Sequence, residues 1–144
     1  MAVVRLGDAS WLVAASGRVI RAVKLGELSR LPRIWLDDGA PAPEPGAALT
    51  VEQGASSAQA VAEIPAGFPA RVQSVRGSAD ALLFMLANST ELRLGPGVDV
   101  RRKLVVAGAV LEDLRRERVR LAYLDVSLPE RPVGAPKSQV EDRA

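Results

Sequence analysis

The chain has 144 residues, of which 48% are hydrophobic but only 3% aromatic, and it carries a formal net charge of +2 with neither cysteine nor histidine. That length allows one ordinary domain with a real core, which the shortage of rings makes aliphatic. The absent cysteine excludes disulfides, thiolate nucleophiles and Cys-ligated metal sites; the absent histidine removes the commonest metal ligand, the usual base near neutral pH and every Ser-His or Cys-His pair.

From the N-terminus, residues 2–23 read as three short strands joined by tight turns. Ala2 to Leu6 is followed by the Gly7-Asp8 turn, residues 10–14 by a turn ending at Gly17, and residues 18–23 complete an antiparallel meander. Residues 31–36 form a further short strand with Pro32 at its start, where a missing N–H does least harm. Three prolines, Pro41, Pro43 and Pro45, make residues 37–46 an exposed loop.

An Ala-rich helix is expected over residues 55–64, capped near Ser56 or Ser57 and stopped by Pro65. Residues 70–76 alternate as a strand. The apolar run 81–87 has the length and continuity of a central strand covered on both faces. Asn88-Ser89-Thr90 turns it into residues 91–94, where Leu92 and Leu94 share one side and Glu91 and Arg93 the other, and Gly95-Pro96-Gly97 closes the unit.

The strongest signal is a helix from about Asp99 to Arg118, with Asp99 as N-cap and Val100, Leu104, Ala107, Leu111 and Leu114 as its buried stripe. Residues 119–128 form a last strand ended by Pro129. Leu124, Val126 and Leu128 alternate on one face of it, with Tyr123, Asp125 and Ser127 on the other. The polar, Pro-containing tail 131–144 is expected to be disordered. The sum is an α+β domain: a mostly antiparallel sheet with a long amphipathic helix and a shorter helix packed on it.

Chemistry finds little to stand on. The carboxylate pairs Asp37-Asp38 and Glu112-Asp113 fall on a loop and a helix exterior, where no carboxyl is tuned for acid–base work. A Ser–Lys hydrolase needs Lys24, Lys103 or Lys137 beside a serine, and no spacing indicates it. Gly95-Pro96-Gly97 lacks the following lysine of a phosphate loop. Arg101, Arg102, Arg115, Arg116, Arg118 and Arg120 offer an alternative reading as an Arg-rich nucleic-acid-binding domain, but no aromatics accompany them and Glu112, Asp113 and Glu117 interrupt them. Trp11 and Trp35 each sit in a strand and are expected in the core. No apolar run approaches the roughly 20 residues that span a bilayer.

The order of short words is more informative than any one of them. Trp11-Leu12-Val13 with Gly17-Arg18-Val19, then Leu31-Pro32-Arg33-Ile34, Leu86-Ala87-Asn88, Glu91-Leu92-Arg93-Leu94-Gly95, Lys103-Leu104 and Tyr123-Leu124-Asp125-Val126-Ser127-Leu128-Pro129 together resemble the extracytoplasmic β-domain of the FtsQ/DivIB family of bacterial cell-division proteins. The turn at Ala14-Ala15-Ser16 departs from the Asp or Asn usual there.

That resemblance implies a β-domain over residues 7–130, preceded at residues 1–6 by the last strand of a POTRA domain whose remainder, with the transmembrane anchor, is missing from this chain. It implies a non-catalytic, cofactor-free scaffold at the extracytoplasmic face of the membrane at the division septum. FtsB-like and FtsL-like proteins are its implied partners, and control of septal peptidoglycan synthesis its implied role. Contact by strand addition at the exposed edge of the last strand is implied as well, which by position in the motif falls on Tyr123, Asp125, Ser127, Leu128 and Glu130.

Overall fold

A computed structural model describes residues 1–137. Its strands are β1 (Ala2–Leu6), β2 (Ala9–Val13), β3 (Val19–Val23), β4 (Arg33–Trp35), β5 (Val72–Ser78), β6 (Ala81–Leu86), β7 (Glu91–Gly95), β8 (Leu121–Asp125) and β9 (Val133–Pro136). Helix α1 (Ala55–Ala62) lies between β4 and β5, and helix α2 (Val100–Arg116) between β7 and β8.

All described strands join one sheet in the order β3-β2-β1-β4-β5-β6-β7-β8-β9. Five neighbouring pairs run antiparallel, and β1–β4, β4–β5 and β7–β8 run parallel. The last two parallel pairs are those joined through a helix, since a parallel return needs a crossover. The α+β expectation therefore stands, with three parallel pairs inside a sheet that is antiparallel in the majority.

Register explains where the core sits. Val4, Ile34, Val75, Phe84, Leu92 and Leu124 face one another strand by strand across six neighbouring strands, and each is at most 1% exposed. Side chains alternate across a strand, so this row needs one covered face only. The cover comes from α1 through Ala58 and Ala60, and from α2 through Val100, Leu104 and Ala107, with Leu111 and Leu114 packed at the margin. The stripe expected on α2 is turned to the sheet, buried at Val100, Leu104 and Ala107 and partly buried at Leu111 and Leu114.

Several local expectations are corrected. The run 81–87 lies mid-sheet as expected, but it alternates: Leu82, Phe84 and Leu86 are buried, while Leu83 and Met85 remain half-exposed on the opposite face, which no helix covers. Trp35 lies on that same open face and is 37% exposed, whereas Trp11 packs against the core. Neither helix uses a side-chain cap. Asp99 is the N-cap of α2 as expected, while Gly54 takes that position in α1 in place of Ser56 or Ser57; both are left-handed, and none of these side chains makes a capping bond.

The segments flanking the expected β-domain also join its sheet. Ala2–Leu6, expected to close a preceding domain, is an interior strand with β2 on one side and β4 on the other, and Ala2 and Val4 lie in the common core. The sheet does not divide at residue 6. The tail expected to be disordered contains β9, paired antiparallel to β8 and fastened by Lys137 N–H donating to the Arg120 carbonyl at 2.9 Å. Prolines at 132 and 136 hid this strand, although each sits where a lost N–H does little damage. Residues 138–144 lie outside the described residues.

The Pro-rich loop has an anchor that composition does not reveal. Gln53, nearly buried, donates from Nε2 to the carbonyls of Pro41 and Ala42 at 3.3 and 3.2 Å, and its Oε1 accepts from Thr50 N–H at 3.0 Å.

Candidate functional site

The end of β8 is where the implied partner residues fall. Tyr123 and Asp125 project from the open face of β8, both half-buried, while Leu124 and Val126 point into the core at 1% and 0% exposure. This is the alternation expected of the segment, apart from Leu128. That residue lies beyond the strand and is 62% exposed in the connection to β9.

Tyr123 faces Glu91 of β7 on one side and Ala135 of β9 on the other. Its ring is covered by the Arg93 guanidinium, 4.0 Å from the ring centroid, and Arg93 Nε also donates to Glu91 Oε1 at 2.7 Å. One arginine thus ties together a ring and a carboxylate on neighbouring strands, an arrangement suited to its planar, weakly hydrated cation.

Asp125 and Ser127 satisfy one another. Asp125 Oδ1 accepts from Ser127 N–H at 2.9 Å and from Ser127 Oγ at 2.6 Å, a side-chain turn that ends the strand. Gly95 must be glycine for this turn to fit, because a Cβ there stands 2.7 Å from Ser127 Cβ. Arg131 N–H donates to the Leu128 carbonyl, closing the reversal into β9, and Glu130 reaches Arg102 of α2 at 3.3 Å. The structure therefore brings Tyr123 and Asp125 onto one face and places Ser127, Leu128 and Glu130 along the turn that follows.

The expected exposed edge is not on β8. The backbone of β8 pairs with β7 and β9 at once, so the C-terminal margin of the sheet is β9, whose other side is paired to no described strand. Lys137 Nζ adds a bond to the Asn88 carbonyl at 2.9 Å, holding the end of β9 against the β6–β7 turn. The opposite margin, β3, is partly closed already. Val19 N–H donates to the Ala47 carbonyl, Gly46 N–H to the Val19 carbonyl and Leu49 N–H to the Gly17 carbonyl.

The arginines of the alternative reading fall into two separate groups, and Arg115, Arg118 and Arg120 line one cleft at the C-terminal end of α2. Arg101 and Arg102 lie in the first turn of α2 and Arg115 and Arg116 in its last, about 20 Å apart along the axis at 1.5 Å per residue. The pair in the last turn favours the negative end of the helix dipole.

One buried charge escaped the sequence reading as a structural element. Lys103, on the inner side of α2, is 4% exposed and donates from Nζ to the Pro96 carbonyl at 2.8 Å. Burial pushes its pKa below the usual lysine value, opposed by the nearby carboxylates of Asp99 and Asp125.

No curated protein matches the chain. A family model described as Cell division protein FtsQ/DivIB, C-terminal, matches residues 2–127, beginning with β1 and ending at the Asp125–Ser127 turn. With nearly the whole sheet and both helices inside that match, the chain belongs to the FtsQ/DivIB family of cell-division proteins and represents its C-terminal domain.

Proposed function

We propose that this domain is a non-catalytic scaffold of the division machinery that binds FtsB-like and FtsL-like partners by strand addition at its C-terminal sheet edge. Acting at the extracytoplasmic face of the membrane at the septum, it helps control septal peptidoglycan synthesis. The carrying observation is β9: a short marginal strand whose outer side has no described partner, with Val133 exposed in it and Leu128 exposed in the connection before it. An edge of this kind offers backbone donors and acceptors to an extended peptide, while neighbouring apolar side chains supply area to bury. Pro136 bounds the added ladder because it has no N–H to donate.

In this reading Tyr123, Asp125, Ser127, Leu128 and Glu130 form the flank of the docking edge. Leu128 and Glu130 are the members open to a partner, and Tyr123 and Asp125 shape the face beside it.

The test is a titration of membrane-proximal segments of the same organism's FtsB-like and FtsL-like proteins against the parent chain and a version ending at Pro132. Loss of binding on removing β9, with the shortened chain still folded, supports addition at β9. Tighter binding by the shortened chain means that the partner competes with β9 for β8. Absence of binding by either form removes the proposed partners.

A further inference from the structure

The sheet face turned away from the helices is electrostatically lopsided. Strands β2, β1, β4, β5 and β6, five neighbours in the sheet, contain no Asp or Glu. Arg5, Arg33 and Arg76 project from the open side of this region around the exposed ring of Trp35. Arg5 lies 4.8 Å and Arg76 5.6 Å from the ring centroid, so the indole is held between two guanidinium groups.

None of these three arginines forms an ion pair among the described residues. Asp37 and Glu52 line the cleft beyond Trp35 together with Arg76 but do not pair with it. Arg5 donates from Nη2 to the Gly7 carbonyl at 3.2 Å, and its Nε is buried with no hydrogen-bond partner. Beside the cluster, Leu83 and Met85 are partly exposed on the same face.

We propose that this face, centred on Arg5, Arg33, Trp35 and Arg76, is a second docking surface, which takes an acidic amphipathic peptide segment of a partner protein. Guanidinium forks match carboxylates two bonds at a time, and Leu83 and Met85 supply the apolar contact for the non-acidic side of such a segment. Nucleic acid fits less well. Its bases need free aromatic faces, and the Trp35 ring is already flanked by arginines, as the Tyr123 ring is by Arg93. From β5 to β9 is four strand spacings, about 19 Å, so the surface stands apart from the β9 edge and does not depend on strand addition there.

The experiment titrates the full chain with three labelled probes: a Glu/Leu amphipathic peptide, the same peptide with Lys in place of Glu, and oligodeoxythymidine. The expected result is saturable binding of the Glu peptide that weakens with salt and falls at least about tenfold in the Arg33→Glu/Arg76→Glu variant. The milder Arg33→Gln/Arg76→Gln variant loses less, and thermal melting checks that both stay folded. Binding of the division-protein segments at β9 is unchanged in either, which separates this surface from that edge. Failure of the Glu peptide to bind, equal binding of the Lys peptide, binding of the oligonucleotide in its place, or unchanged affinity in both variants overturns the proposal.

Discussion

The guanidinium of Arg93 stacks on the ring of Tyr123 at 4.0 Å while its Nε holds Glu91, so the aromatic ring at the implied partner site is already engaged by its own domain. What the fold uses is the face of the ring, and no hydrogen bond involves its hydroxyl among the described residues. Tyr123→Phe therefore leaves stability within about 0.5 kcal/mol of the parent, whereas Tyr123→Ala costs about 1–2 kcal/mol through lost stacking and burial. Urea denaturation of the two variants measures this. Equal losses in both show that the hydroxyl is the structural group.

Leu124 and Val126 belong to the core and not to the docking edge, at 1% and 0% exposure. Leu124→Ala is expected to cost about 2–5 kcal/mol, the range for deleting a buried leucine without full collapse of the site. Leu124→Pro also breaks the pairing of β8 with a neighbour, because Leu124 lies opposite Leu92 on one side and Gly134 on the other. We expect that variant to be unfolded by circular dichroism, so its failure to bind a partner says nothing about the edge. Native-like melting of Leu124→Pro contradicts this placement of β8.

Much of the fold was legible because two periodicities were strong. The stripe from Val100 to Leu114 repeats at helical spacing, and Leu92 and Leu94 alternate against Glu91 and Arg93, so α2 and β7 follow from pattern alone. The partner edge was less legible, for a definite reason. Val133-Gly134-Ala135-Pro136 is four residues with one large apolar side chain, and a strand so short is specified by its neighbour's free backbone and not by its own pattern. Trp35 was misplaced into the core because a tryptophan in a strand reads alike on either face; Arg5 and Arg76, which stabilise its exposed position, are remote in sequence. Lys103 shows the converse case, a charge on the inner side of a helix whose acceptor lies in the preceding Gly-Pro-Gly turn.

Gly77 is required by both conformation and space. Its φ is +107°, and a Cβ built on it stands 1.9 Å from the Ala81 carbonyl oxygen across the β5–β6 hairpin. Backbone, not a flexible side-chain end, is in the way. Gly77→Ala is expected to cost at least about 2 kcal/mol, by strain and by distorting the hairpin. Gly39, which has no left-handed φ and nothing within 4 Å of its built Cβ, is the control, and Gly39→Ala stays within about 0.5 kcal/mol of the parent. Comparable losses at both positions, read from denaturant midpoints, rule out the hairpin explanation.

Lys103 gives the domain a pH dependence of definite sign. Burial first, opposed by Asp99 and Asp125, holds its pKa in the folded state below the 10.5 of a free lysine. Between that lowered value and 10.5 the unfolded chain binds the proton that the folded chain has released, and stability rises with pH wherever the unfolded state binds more protons. Below the window both states are charged, and the folded state bears the full cost of burying the cation; above it both are neutral and the cost is gone. Lys103→Met removes this one titration while keeping the volume and the helix propensity nearly unchanged. Relative to that variant, the parent should therefore gain unfolding free energy as pH climbs from 7 toward 10.5. Paired urea titrations at several pH values read the difference, which cancels the contributions of other titrating groups. A difference that stays flat or moves the other way means that the bond to the Pro96 carbonyl and the two carboxylates outweigh burial at this site.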